Sequence, residues 1–209
     1  HQTIYYEWLP MSYYIGQMSG TSLDGIDTVL MHFDGDHMKL VAQHHLDFNQ
    51  TLKASILAIC NGCQDELHKS SMLSNELSRL YASSVLTLLK LEDISPNQIC
   101  AIGCHGQTVR HRPPEYTVQL MNGAWLAEAC GIDVVCDFRS RDIAAGGQGA
   151  PLVPAFHRAL FQEASNQQQA KLDTFVVNIG GMANISQLAA AGETRGHDTG
   201  PGNVLMDAW

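Results

Sequence analysis

Within residues 13–30, two short apolar runs flank a turn that holds Gly20, Thr21, Ser22, Leu23, Asp24 and Gly25. This pattern predicts a strand, a tight turn and a returning strand. The second strand continues over residues 28–33 and turns at Asp34-Gly35-Asp36. A third covers 39–48, with Leu40, Ala42, Leu46 and Phe48 on one face. Asn49 is a fair N-cap for a helix over 50–59 that ends near Gly62. Residues 66–90 form a longer helix, because Leu73, Leu77, Leu80, Tyr81, Val85 and Leu88 recur at steps of three and four. After Pro96, residues 99–103 read as a buried strand that ends in Cys104-His105-Gly106-Gln107-Thr108.

Residues 116–120 predict another strand, and 123–130 a short helix closed by Gly131. A strand over 133–138 delivers Asp137, Arg139, Arg141 and Asp142 into a loop. The glycine-rich 146–151 is a turn before a helix over 152–162, and the Gln- and Ser-rich stretch that follows is a linker. Then the pattern restarts. Residues 174–179 are a strand, Gly180-Gly181-Met182 a turn, and 183–188 a returning strand. Three antiparallel strands, helix, strand, helix, strand, helix and a new hairpin is the order of a ribonuclease-H-like domain followed by its duplicate. The predicted fold class is therefore α/β, a ribonuclease-H-like domain with the start of a second, duplicated domain; the actin-type ATPase character is what the family resemblance described below implies. The predicted organisation is an extension over 1–10, a first domain over 11–162, a linker over 163–173 and the start of the second domain over 174–209.

Composition adds bounds. The 209 residues are 45% hydrophobic and 16% charged, as in an ordinary globular protein. A net charge of -9 argues against broad nucleic-acid binding, which relies on basic patches. No apolar run reaches the roughly 20 residues of a membrane span. Residues 1–10 lack the pattern of a signal peptide, so Met11 is a plausible start and a cytoplasmic setting is expected. Cys60 and Cys63 have zinc-like spacing, and Cys100 and Cys104 could complete such a site. Cys100, Cys104 and Cys136 also sit in apolar strand-like runs, which favours reduced core thiols.

The first turn carries the most chemistry. Glycines let a backbone approach a ligand, successive N–H groups can cradle an anion, and a carboxylate such as Asp24 or Asp27 can hold Mg²⁺. It is not a Walker A loop, because Ile26 and Asp27 stand where lysine and a hydroxyl are needed. An ordinary glycine hairpin is the competing interpretation. Near the other end, Asp198 lies in Gly196-His197-Asp198-Thr199-Gly200-Pro201-Gly202-Asn203, a loop expected to precede a helix. A carboxylate there can act as general base or metal ligand, or can merely shape a turn.

Three motifs, residues 18–27, 178–185 and 198–203, occur with Cys104-His105-Gly106-Gln107-Thr108 and with the segment from Asp137-Phe138-Arg139 to Pro151. Together they resemble the anhydro-N-acetylmuramic acid kinase family, in consistent order from residue 11 to 209. That resemblance implies the sugar-kinase, actin and heat-shock-chaperone ATPase superfamily, in which paired domains hold ATP between two hairpins. It implies a bacterial enzyme of peptidoglycan recycling and amino-sugar catabolism. Such an enzyme uses ATP and Mg²⁺ to open 1,6-anhydro-N-acetylmuramic acid with water and phosphorylate O6, giving N-acetylmuramate 6-phosphate and ADP. By motif, Gly20, Thr21, Ser22, Leu23, Asp24, Gly25, Ile26 and Asp27 form the first ATP phosphate loop, and Asp198 is the catalytic base. Asp24 is the residue expected nearest the metal. Arg139 suits the substrate's lactyl carboxylate, and an ion pair is its alternative role. His105 and Gln107 could meet sugar hydroxyls, with a structural role the alternative for His105.

Trp209 falls inside an expected helix, so the sequence reads as a fragment that binds ATP weakly or does not turn over alone. Its exposed domain face should be apolar and prone to associate. A homodimer is compatible with the sequence; a nucleic-acid or membrane partner is not expected. Rival functions are another sugar kinase, a non-catalytic actin-like ATP switch, and a zinc module.

Overall fold

The computed structural model describes residues 12–35, 37–166, 173–190 and 193–203. The expected N-terminal extension, Met11, most of the linker and the helix after Asn203 lie outside them. Two compact units divide the chain, one drawn from His1–Val109 and Gln119–Asp137, the other from Arg110–Val118 and Phe138–Trp209.

The first unit is built on β1 (Ser12–Ser19), β2 (Gly25–Asp34) and β3 (His37–Asp47), which pair antiparallel in succession. Two helices follow, α1 (Gln50–Asn61) and α2 (Glu66–Leu91). The chain then returns as β4 (Ile99–Arg112), which runs parallel to β1 on its other side. β5 (Tyr116–Leu120) pairs with β4, and the outer ends of both strands are counted with the second unit. α3 (Gly123–Cys130) leads to β6 (Val134–Val135), again parallel to β4. The core order β3-β2-β1-β4-β6, with β2 the reversed strand, is the ribonuclease-H-like arrangement.

Local chemistry explains the helices. The Asn49 side chain accepts the Leu52 N–H at 2.8 Å, and Gly62 at φ 81° closes α1. On α2, Leu73, Leu77, Tyr81, Val85 and Leu88 are buried against the sheet, as their spacing predicts, and Leu80 is partly buried beside them. Each such side chain contributes about 1.5–3 kcal/mol. α3 is capped by Asn122, which accepts the Trp125 N–H at 3.1 Å, and Gly131 at φ 66° ends it.

The second unit carries α4 (Phe138–Ala144), α5 (Pro154–Asn166), and a sheet of β7 (Thr174–Ile179), β8 (Met182–Leu188) and β9 (Thr194–Pro201). β7, β8 and β9 pair antiparallel in order, repeating the start of the first unit. α5 packs on β8 and β9, where His157 Nδ1 lies 2.9 Å from Ser186 Oγ and Arg158 donates to Thr194 Oγ1 at 2.6 Å. Phe175, Val177 and Ile179 alternate along β7 and are each more than half exposed. No helix among the described residues is long and apolar enough to cross a membrane.

Several expectations are corrected. A bulge at Val41 shifts the register between Leu30 and Met31, so Leu40 leaves the face of Ala42 and is 50% exposed. β4 does not end at Gly103 but continues to Arg112, and Cys104 to Thr108 lie within it. Gly106 permits this at φ 74°, where the β1 register also shifts. The strand expected over 133–138 shrinks to Val134–Val135, and Arg139, Arg141 and Asp142 sit on a helix instead of a loop. Cys104 and Cys130 are core thiols, whereas Cys100 and Cys136 are exposed.

Leu77 is fully enclosed and Leu67 is 84% exposed on the same helix. Leu77→Ala is expected to destabilise by about 2–5 kcal/mol, and Leu67→Ala by less than about 0.5. Denaturant melts of the two variants check this.

Candidate functional site

In the first unit the expected phosphate loop divides into a turn and a strand. Leu23 N–H donates to the Gly20 carbonyl at 3.2 Å, closing a turn with Thr21 and Ser22 exposed at its corners. Leu23, at φ 59°, drives its side chain into the core, while Asp24 is exposed and its carbonyl accepts Phe48 N–H at 3.0 Å. Gly25, Ile26 and Asp27 are already strand residues. A Cβ on Gly25 would collide with the Leu46 carbonyl of β3, so packing against β3 alone accounts for this glycine. Ile26 is fully buried.

Asp27 is engaged on the surface. Its carboxylate accepts from His45 Nδ1 at 2.7 Å, and His45 Nε2 lies 3.4 Å from Asp47. The hydrogen bond to Asp27 pushes the His45 pKa above its ordinary value, and Asp47 adds to it. Among the described residues, no three His, Cys, Asp or Glu side chains cluster as a metal site. Mg²⁺ does not need such a cage, because it keeps several waters and is bound through one or two carboxylates plus phosphate oxygens. The exposed Asp24 beside the turn fits that use, and the exposed Thr21 and Ser22 carry N–H and hydroxyl groups of the kind that hold phosphate.

Under the turn, Gln107 of β4 is completely buried, and its Nε2 donates to the Gly20 carbonyl at 3.2 Å and to the Thr108 carbonyl at 3.3 Å. His105 is half-buried, with Nδ1 2.7 Å from the Gly106 carbonyl. Cys104 beside them is pushed up to about 12 by burial, so it is an inert thiol.

In the second unit, Asp198 lies in β9 opposite Asn184 and not in a loop. A bulge falls at Thr199, between the pairs Ala183–Gly200 and Asn184–Asp198. Bulges re-aim side chains, and Asp198 is exposed here. Beyond it, Gly202 and Asn203 N–H groups each donate at 2.8 Å to the carbonyls of Gly181 and Gly180, tying the strand to the second glycine turn. Gly202 must be glycine, since a Cβ would collide with the Gly180 carbonyl. Arg139 on α4 donates to the Gly149 carbonyl at 2.6 Å, and Asp142 accepts the Gly149 N–H at 2.7 Å. Burial lowers the Arg139 pKa, and the charge of Asp198 opposes that shift.

Arg139 and Asp198, far apart in sequence, are thus electrostatic neighbours. His111 joins them, its pKa lowered by burial and by Arg139 and raised in part by Asp198. Sequence reasoning missed His111, because it lies in the part of β4 beyond the strand end expected at Gly103. It also missed Tyr81 as a polar residue, because its spacing marks only a core position.

The family profile described as Anhydro-N-acetylmuramic acid kinase matches residues 12–209. The chain belongs to that family. A relative from Nitrosomonas europaea named anhydro-N-acetylmuramic acid kinase is 52% identical over 200 residues, covering 94% of this chain and 53% of the relative. Relatives of the same name from Thiobacillus denitrificans and Neisseria meningitidis are 51% and 53% identical, with 94% of this chain and 51% and 52% of theirs covered. The chain spans about half the length of the curated relatives it matches.

His45 should titrate above an ordinary histidine. Because its folded pKa is raised, its stabilising contribution is fully present below the unfolded value and is lost as pH rises through the folded one. Asp27→Asn should bring the imidazole titration, followed by NMR, back toward the ordinary histidine range.

Proposed function

We propose that this chain contributes to an ATP-dependent kinase that opens 1,6-anhydro-N-acetylmuramic acid with water and phosphorylates O6. The observation that carries the proposal is the juxtaposition of Asp198, exposed beside a bulge, with the cationic Arg139, in a chain of this family. We take residues 11–162 as the first actin-like domain, 163–173 as the linker and 174–209 as the start of the second. The repetition of β1, β2 and β3 by β7, β8 and β9 supports that division.

Water is a weak nucleophile at neutral pH, and a positioned carboxylate can take its proton. Asp198 fills that role as water attacks the anomeric carbon. The bond from that carbon to the bridging O6 breaks, and O6 becomes the nucleophile toward the γ-phosphorus of ATP. A new O6–phosphorus bond forms as the bond to ADP breaks. Arg139 serves the lactyl carboxylate, and His105 remains a candidate for sugar hydroxyls. Thr21 and Ser22 hold phosphate oxygens through N–H and hydroxyl groups, beside Asp24. Mg²⁺ held there would neutralise charge on the transferring phosphoryl group. The product would be N-acetylmuramate 6-phosphate, in cell-wall recycling in the cytoplasm.

The test joins this chain to the remaining half of the Nitrosomonas europaea relative and supplies ATP, Mg²⁺ and the anhydro sugar in ¹⁸O-water. A ring-opened 6-phosphate with solvent oxygen at the anomeric carbon is expected. Asp198→Asn should lower kcat by about 10²–10⁴ while leaving Mg-ATP binding in place. A product without solvent oxygen, or an Asp198→Asn variant at full rate, overturns the proposal.

A further inference from the structure

Beneath the first turn lies a set of buried polar groups that the reaction itself does not use. Ser19, the last residue of β1, is 1% exposed, and its Oγ lies 2.6 Å from the phenol of Tyr81 on α2. Ser19 Oγ also reaches the Gly106 carbonyl at 3.5 Å, a weak contact. A carbonyl can only accept, so the serine proton points toward Gly106 and the Tyr81 hydroxyl donates to Ser19. Burial pushes the Tyr81 pKa far up, which keeps the phenol protonated as a donor.

Gln107 works one residue further on. Both partners of its Nε2 are carbonyl oxygens, so the orientation of the carboxamide is fixed by its surroundings. The Gly20 carbonyl therefore accepts two hydrogen bonds, one from Gln107 and one from Leu23 N–H. Leu23 is anchored in turn by its buried side chain. Gln17 adds a third tie, its Nε2 donating to Thr28 Oγ1 at 2.9 Å and to the Tyr81 carbonyl at 3.0 Å. Both ends of the turn are held from below, and only Thr21 and Ser22 face outward.

We infer that Tyr81 and Gln107 are positioning residues for phosphate binding: acting through Ser19 and the Gly20 carbonyl, they hold the turn in the one backbone shape that presents the exposed Thr21 and Ser22 to solvent. This rests on the assignment of that turn to phosphate. The benefit is preorganisation, because a turn already rigid loses less conformational freedom when an anion binds.

Tyr81→Phe removes only the hydroxyl, and Gln107→Met replaces the carboxamide with an apolar chain of similar length. Ser78→Ala is the control. Ser78 is equally buried one turn earlier on α2, but its hydroxyl accepts the Asn122 N–H at 2.7 Å, at the start of α3. Far-UV circular dichroism and thermal melts establish that each variant of this chain folds. Exchange of the Leu23 amide, followed by NMR, should quicken about tenfold in Tyr81→Phe and Gln107→Met, the size of one lost hydrogen bond, and stay unchanged in Ser78→Ala. Titration with Mg-ATP should move the Thr21 and Ser22 amide signals, with affinity about tenfold weaker in the two variants. Unaltered Leu23 exchange in both variants, or an equal rise in Ser78→Ala, overturns the positioning role. If the variants loosen the turn while Mg-ATP leaves the wild-type signals in place, the turn is positioned for something other than phosphate, and the phosphate assignment fails on its own.

Discussion

β1 is hydrogen-bonded on both sides, to β2 antiparallel and to β4 parallel, and that double commitment governs the first unit. A strand paired along both edges has no freedom to slide, since a one-residue slip would turn every side chain to the wrong face. Ile15 therefore stays in the core and Gln17 stays over Thr28. Ser19 ends up at the mouth of the turn, within reach of α2 and β4. The turn inherits its placement from the sheet.

The two units solve a similar problem with different means. In the first, the glycine turn is steadied by side chains, a tyrosine and a glutamine from distant elements. In the second, the Gly180–Gly181 turn is steadied by main-chain bonds from Gly202 and Asn203, and Gly202 allows that approach. The carboxylate nearest each arrangement is also held differently: Asp24 sits exposed beside its turn, whereas Asp198 is exposed on β9 next to a bulge.

Much of the fold was legible because it rests on short-range signals. The cap at Asn49, the closing Gly62 and Gly131, and the stripe from Leu73 to Leu88 are written in neighbouring residues. What failed depends on pairing partners that sequence spacing does not reveal. Gly196, Gly200 and Pro201 look like loop residues, yet β8 recruits them into a strand. Gly196 is at home there because Pro154 and Pro151 occupy the space where its Cβ would be. Leu40 lost its expected face to a single bulged residue. Arg139 and Asp142 gave no helical signal of their own, since α4 is only seven residues long and buries none of them fully. At the site, the motif named Asp198 but could not place it beside His111, because that neighbourhood is a matter of electrostatics across separate elements. For Gln107 the sequence suggested contact with a sugar, and it gave no sign that the Nε2 donates to the backbone carbonyls of Gly20 and Thr108.

The ties beneath the first turn also bear on how the unit folds. β1, Gly20 and β2 are adjacent in the chain, so their hairpin can close on the microsecond scale of local structure. Its supports come from much further away, 62 residues on for Tyr81 and 87 for Gln107. Loops of that length make contact formation slow, and parallel pairing of β1 with β4 needs α1 and α2 in place between them. The outline of the turn can thus exist early in a nascent chain, while its rigidity arrives last. A chain released before β4 has docked would carry the right sequence at Gly20 without the shape that gives it meaning.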